Sequence, residues 1–257
     1  MKFPNFKDKH LEDSIISPSE FMEYQKEQGK YPTFKKPEGL IFCYQKSLIQ
    51  YVLENHKTTK VEGFYGEMYL LDETEGKLAI IGKFGIGAPV VVTLFEELIA
   101  FGIKKFISIG TAGTLQKHIK IGSLMLCDRA IRDEGTSHHY VESSKYAYAS
   151  KVMIENIKES LNKFNQEYFV GTSWTIDAPY RETVAEARQY QSEGVATVEM
   201  EASALFVVAE YRKVDLGAIF TISDSLAELE WNPKFHSKKT KQGLEILYKV
   251  SVDALLK

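Results

Sequence analysis

From Gly39 onward the chain alternates short apolar runs with stretches of helical character, and that alternation most limits the folds open to it. Gly39–Cys43, Lys77–Gly82, Lys105–Ile109, Ser123–Cys127, Tyr168–Thr172 and Leu216–Ser223 each read as strands. Between them come helices near Ser47–Glu54, Val91–Phe101, Ala149–Phe164, Thr183–Glu193 and Glu199–Arg212, and Thr240–Leu256 closes the chain. Strands alternating with helices point to an α/β architecture. The expectation is one domain over residues 38–257, with a central mixed, mostly parallel sheet flanked by helices. Residues 1–37, broken by Pro4, Pro18, Pro32 and Pro37, are expected to form an irregular extension with one short helix near Ser19–Gln28.

Composition narrows the partners. With 32 Lys plus Arg against 35 Asp plus Glu, the net charge is −3. That balance offers no electrostatic footprint for nucleic acid or an anionic membrane, so a small molecule is the expected ligand. Cys43 and Cys127 form neither a disulfide framework nor a metal-binding spacing. The N-terminal stretch has no apolar signal-like core, and no run approaches the roughly 20 residues that span a bilayer, so a cytoplasmic location is expected. His138-His139 beside Arg132, Asp133 and Glu134 could suggest a metal site. Adjacent histidines rarely point the same way, and no metal is expected.

The segments able to carry chemistry follow expected strand ends, where open α/β sheets bind ligands. Gly85-Ile86-Gly87-Ala88-Pro89 turns into a helix whose N-terminus could face an anion, although a tight turn needing glycine would read the same. Pro89 suits the start of that helix and Gly102 its end. Gly110-Thr111-Ala112-Gly113 offers a hydroxyl among small residues that let a ligand approach the backbone. Trp174 is either a stacking face for a flat ring or a core residue. Glu199 and Glu201, two apart at an expected helix start, either favour the helix dipole or hold a ligand. Asp224 is either a helix cap or a buried acid.

Three segments in order, Ser108-Ile109-Gly110-Thr111-Ala112-Gly113, Val198-Glu199-Met200-Glu201-Ala202-Ser203 and Thr221-Ile222-Ser223-Asp224, resemble the nucleoside phosphorylase and nucleosidase superfamily. Its members cleave the N-glycosidic bond of nucleosides, and the resemblance runs from about Lys77 to the C-terminus. It implies that Glu201 holds the ribose hydroxyls with Glu199 beside it and Met200 beneath the sugar. It further implies that Ala112 and Gly113 pass along the base and that Trp174 stacks on it. Thr111 would contact phosphate or lie beside the attacking water, and Gly87, at the helix start, would share the phosphate. Asp224 would protonate the leaving base, which favours a purine over uridine. Phosphate is then a co-substrate with no further cofactor. A homo-oligomer with its pocket near a subunit boundary is also implied. The chain departs from the pattern where phosphorylases carry phosphate-binding arginines: it has Cys43-Tyr44-Gln45-Lys46-Ser47-Leu48 at one place and Ser108 at the other. The hydrolytic branch would place an acid near Tyr44–Ser47, and none is there. A phosphorylase is the leading expectation, with a nucleosidase or a non-catalytic nucleoside binder as alternatives.

Overall fold

The computed structural model describes residues 3–257. Met1 and Lys2, the start of the expected extension, lie outside the described residues. Eleven strands occur in chain order: β1 (Gly39–Cys43), β2 (Thr58–Val61), β3 (Glu67–Leu71), β4 (Leu78–Gly82), β5 (Lys105–Thr114), β6 (Leu124–Asp133), β7 (Tyr146–Tyr148), β8 (Tyr168–Ile176), β9 (Thr197–Glu199), β10 (Asp215–Ser225) and β11 (Asn232–Pro233). Seven helices accompany them: α1 (Pro18–Glu27), α2 (Lys46–Asn55), α3 (Ala88–Phe101), α4 (Lys151–Lys163), α5 (Val184–Ser192), α6 (Ala202–Arg212) and α7 (Lys238–Leu255).

All the strands join one sheet, and its longest ladders, β10 on β5 and β6 on β8, are parallel. β5 organises it. Its first half pairs β1 on one side and β10 on the other, and its last two residues pair β9. Because β9 also pairs β8, β8 pairs β6 and β6 pairs β10, five strands close into a ring. Closure removes the edges that those strands would otherwise leave open. From β5 the sheet extends outward through β1, β4, β3 and β2.

β1 and β4 are buried along their whole length, as parallel strands covered on both faces must be. α6 is buried at every position from Ala202 to Ala209, so it serves as a core helix rather than a surface one. α3 presents Val91, Leu94, Phe95 and Leu98 to the main core. α1 begins with a Ser17–Glu20 capping box, buries Met22 and packs against α3.

Four strands run further than the sequence suggests. β5 continues to Thr114, so Gly110–Gly113 is strand rather than loop; β6 continues to Asp133, β8 continues past Trp174, and β10 includes Asp224. Ring closure supplies the partners that prolong them. The short β9 takes up Glu199, which the sequence reading placed in a helix, and α6 starts at Ala202.

Candidate active site

The corner between β9 and α6 holds two acids in opposite situations. Glu199 is buried, and its Oε2 accepts the N–H groups of Glu201 (2.8 Å) and Ala202 (2.7 Å). Its Oε1 accepts the hydroxyls of Thr175 (2.5 Å) and Ser173 (3.2 Å). Burial raises its pKa, and those four bonds oppose the rise. Glu201, also buried, makes one such contact: Oε1 accepts the N–H of Gly87 at 2.6 Å. Burial first, and then the charge of Glu199, push its pKa up to about 8. Gly87 sits at φ 96°, a conformation that glycine tolerates best, and this aims the amide at the start of α3 toward Glu201. Met200, half-buried, lies in the corner between the two acids.

On the neighbouring strand, a register shift in the β10–β5 ladder between Ile222 and Asp224 brings Asp224 opposite Gly113. A Cβ on Gly113 would lie 2.9 Å from Asp224 Oδ2, 2.9 Å from Leu226 Cδ1 and 3.2 Å from Val198 Cγ1. Asp224, Leu226 and Val198 therefore close directly on the bare Gly113 backbone. Asp224 is 7% exposed. Its Oδ1 accepts the hydroxyl of Ser223 (2.7 Å) and its Oδ2 the indole N–H of Trp231 (3.1 Å). Burial raises its pKa, and the two hydrogen bonds restrain the rise. Glu182, between β8 and α5, is raised to about 7, by burial first and then by the charges of Asp224 and Glu186.

The third wall is uncharged. Tyr44 Oη lies 3.1 Å from Ser108 Oγ, and Gln45 Nε2 donates to Thr111 Oγ1 at 3.1 Å. Burial first, and then the charge of Glu201, hold the Tyr44 phenol well above its ordinary pKa, so it is neutral. Thr111 and Gly113 alternate onto the same face of β5, about 7 Å apart along the strand. A separate cavity of about 720 Å³, on the far side of α3 beneath Ser14–Phe21, opens onto Glu96, Tyr140 and Arg212 and onto none of these walls.

A family profile described as the phosphorylase superfamily matches residues 46–257. The chain belongs to that superfamily. It is similar to a DeoD-type purine nucleoside phosphorylase of Caldanaerobacter subterraneus subsp. tengcongensis, with 30% identity over 76% of this chain and 84% of the relative. Among solved structures it is similar to a uridine phosphorylase from Vibrio fischeri, with TM-score 0.73, 26% identity, and 86% of this chain and 91% of that one covered. A purine nucleoside phosphorylase from Toxoplasma gondii in complex with immucillin-H superposes with TM-score 0.74 at 18% identity, over 85% of this chain and 90% of that one.

Within this superfamily fold the expected residues separate. Thr111, Ala112, Gly113, Met200, Glu201 and Asp224 gather around β5, β9 and β10. Trp174 is fully buried among Leu115, Ile131, Ile176 and Val198, with its indole N–H on Asp133 at 2.8 Å. Its core alternative holds, because β8 runs on to Ile176 and carries it inside. Glu199 is corrected likewise: all its bonds go to the protein, and it fastens α6. Gly87 spends its amide on Glu201, so phosphate has no claim on that donor here. Arg132 is tied to Ser137, Glu142 and Ser144. His139 faces Lys9 and Phe3.

Three residues at the site escaped the sequence reading. Trp231 lies in a polar stretch after β10, and only the two-residue β11, pairing Pro233 with Asp224, brings it back over the acid. Glu182 carries no local pattern at all. Gln45 had a signal: it stands where the family pattern carries a phosphate ligand. No helix among the described residues is long and apolar enough to cross a membrane.

Proposed function

We propose that this enzyme cleaves the N-glycosidic bond of a nucleoside and favours a purine nucleoside over uridine. The observation that carries the reading is the buried Asp224 carboxyl opposite Gly113. An acid held there in a low-dielectric wall keeps its proton more readily than an exposed aspartate, and the base leaving a nucleoside must take up a proton. The base is received beside Asp224, with Leu226 and Val198 drawing back from the bare Gly113 backbone to admit its ring. The sugar then lies toward the β9–α6 corner, where the Glu201 carboxyl can engage a cis-diol above Met200. Electron density from the breaking C1′–N bond flows into the purine as Asp224 donates to it. The names of the relatives make both purine nucleosides and uridine sensible substrates, and Asp224 is what tips the choice. The reading includes a homo-oligomer, because Ile86, beside Gly87, is 61% exposed and Tyr180, near Glu182, is fully exposed.

The test is base release from inosine, adenosine, guanosine and uridine, each with and without phosphate, followed by chromatography. Free purine should appear well ahead of uracil under at least one condition. Equal or faster release of uracil sinks the purine preference, and release of no base from any nucleoside sinks the reading as a whole.

A further inference from the structure

We propose that the acceptor end of this pocket, built on Gln45 and Thr111, takes water rather than phosphate, so that the enzyme hydrolyses its nucleoside. The inference rests on the glycosidic-cleavage reading above and replaces phosphate as the expected co-substrate.

The acceptor end can be identified from geometry. Thr111 lies on the same face of β5 as Gly113, about two residues from the acid that serves the leaving group. Whatever attacks the sugar must come from the side away from that acid, and Gln45 with Thr111 is the polar pair there. Gln45 caps the start of α2, and its Nε2 is committed to Thr111. Its Oε1 is buried with no hydrogen-bond partner. A buried amide oxygen without a partner is costly, so the side chain is poised for one more donor. Water supplies that donor, and it can also accept the hydroxyl proton that Thr111 leaves free. Whichever way the amide is turned, the pair is neutral.

Charge excludes phosphate more firmly than hydrogen bonding does. A dianion taken out of water needs cations or many amide donors. Every arginine of the chain is elsewhere. Arg129 bonds Thr172, Arg132 is held in its own loop, and Arg212 pairs Glu96. Arg181 and Arg188 are on the surface. Lys83 is paired with Glu67 at 2.8 Å, and Lys46 is exposed. The charges that act on Tyr44 include the carboxylates of Glu201 and Glu199. Phosphate would enter a site whose nearest charges are acids, beside the neutral Tyr44–Ser108 pair.

In the step, the C1′–N bond breaks with its electron pair passing to the base, which takes the proton of Asp224. A C1′–O bond forms to the water on Gln45. The proton shed by that water leaves to bulk solvent, and Asp224 regains one from there. The products are free sugar and free base.

The experiment measures base release from the best purine nucleoside over a phosphate titration, with the sugar product identified by mass spectrometry in ¹⁸O-labelled water. Expected are a rate independent of phosphate and ribose carrying one ¹⁸O at C1. Phosphate-dependent release with ribose 1-phosphate as product overturns the inference and leaves the cleavage reading intact. That would also be the outcome if a neighbouring copy supplied the missing cations. Absence of any release, with or without phosphate, overturns both. Gln45→Ala should lower kcat about tenfold with little change in KM, the effect of one lost hydrogen bond to the nucleophile. An unchanged kcat in a variant that still binds nucleoside removes Gln45 from the acceptor site. Gln45→Lys should make phosphate begin to stimulate base release, and no such response would count against the charge argument.

Discussion

The two ends of the pocket are built from opposite materials. On the proposed reading, the leaving-group end holds Asp224, raised above its ordinary value, and Glu182, raised to about 7, while Glu201, at about 8, stands in the sugar corner. At the proposed acceptor end, a phenol, two hydroxyls and an amide pair without a formal charge, and the Gln45 amide oxygen is left for one more donor. The difference teaches where the enzyme can supply driving force. Proton delivery to the leaving group is strongly provided for, and electrostatic capture of a charged nucleophile is not. Cleavage that leans on the leaving group tolerates a weak nucleophile, because the sugar already carries positive character when the nucleophile arrives.

The largest expected effect tests the acid end. Asp224→Asn keeps the shape of the side chain and cannot donate a proton. It should cost about 10²–10⁴-fold in turnover on purine nucleosides, the usual worth of general acid catalysis. On a riboside whose leaving group is already a stable anion, the loss should be far smaller. Equal losses on both substrates, with the fold intact, would reduce Asp224 to a positioning group and erase the contrast between the ends.

A smaller effect concerns the corner acid. Glu201→Ala should weaken nucleoside binding by about 1–3 kcal/mol, the cost of leaving a polar partner unmatched. Unchanged binding would free Glu201 from the sugar. The sign of its pH linkage gives a second check. A carboxyl near 4.5 in the unfolded chain and at about 8 in the folded one binds more protons when folded between those values. Stability of the unliganded protein should therefore fall as pH rises from about 4.5 to about 8, and level off above. Melting temperatures measured across that window should decline less in Glu201→Gln, which has no proton to lose. An identical decline in both proteins would place the linkage on other groups.

The frame of the fold was legible wherever burial imposes a continuous apolar run. β1 lies at Gly39–Cys43 as expected, and the α3 helix ends at Gly102, which has φ 106°. What stayed hidden depends on contacts distant in the chain. The Gly-Thr-Ala-Gly segment looks like a loop because its residues are small, and it is strand because β10 and β9 hold it. The β2–β3 hairpin went unread because its edge strand β2, Thr58-Thr59-Lys60-Val61, is polar, although β3 carries the apolar run Met68–Leu71. At the candidate site the pattern of residue types singled out Asp224, Glu199 and Glu201, yet it could not tell the two glutamates apart. Two residues of backbone turn one carboxylate into a helix fastener and leave the other facing Gly87. Trp174 and Trp231 exchanged places for the same reason: the expected stacking ring is inside the wall, and the ring at the acid comes from beyond β10.

The smallest expected effect sharpens the contrast at that second tryptophan. Trp231 is 66% exposed, so replacing it should barely disturb the core. Its indole N–H nevertheless bonds Asp224 Oδ2, and that bond favours the ionised carboxyl. Trp231→Phe keeps an aromatic face and removes the donor, so the pKa of Asp224 should rise further. An acid is useful only while protonated, and activity falls as pH climbs through its pKa. The alkaline fall of the rate profile should therefore move to higher pH in Trp231→Phe, with melting temperature nearly unchanged. A profile that stays in place would mean that the indole only covers the mouth. A move to lower pH would mean that burial by the ring, rather than its hydrogen bond, is what Trp231 contributes to the acid. The same substitution at Trp174 should do the reverse, costing stability by removing a buried bond to Asp133 while leaving the position of the profile alone.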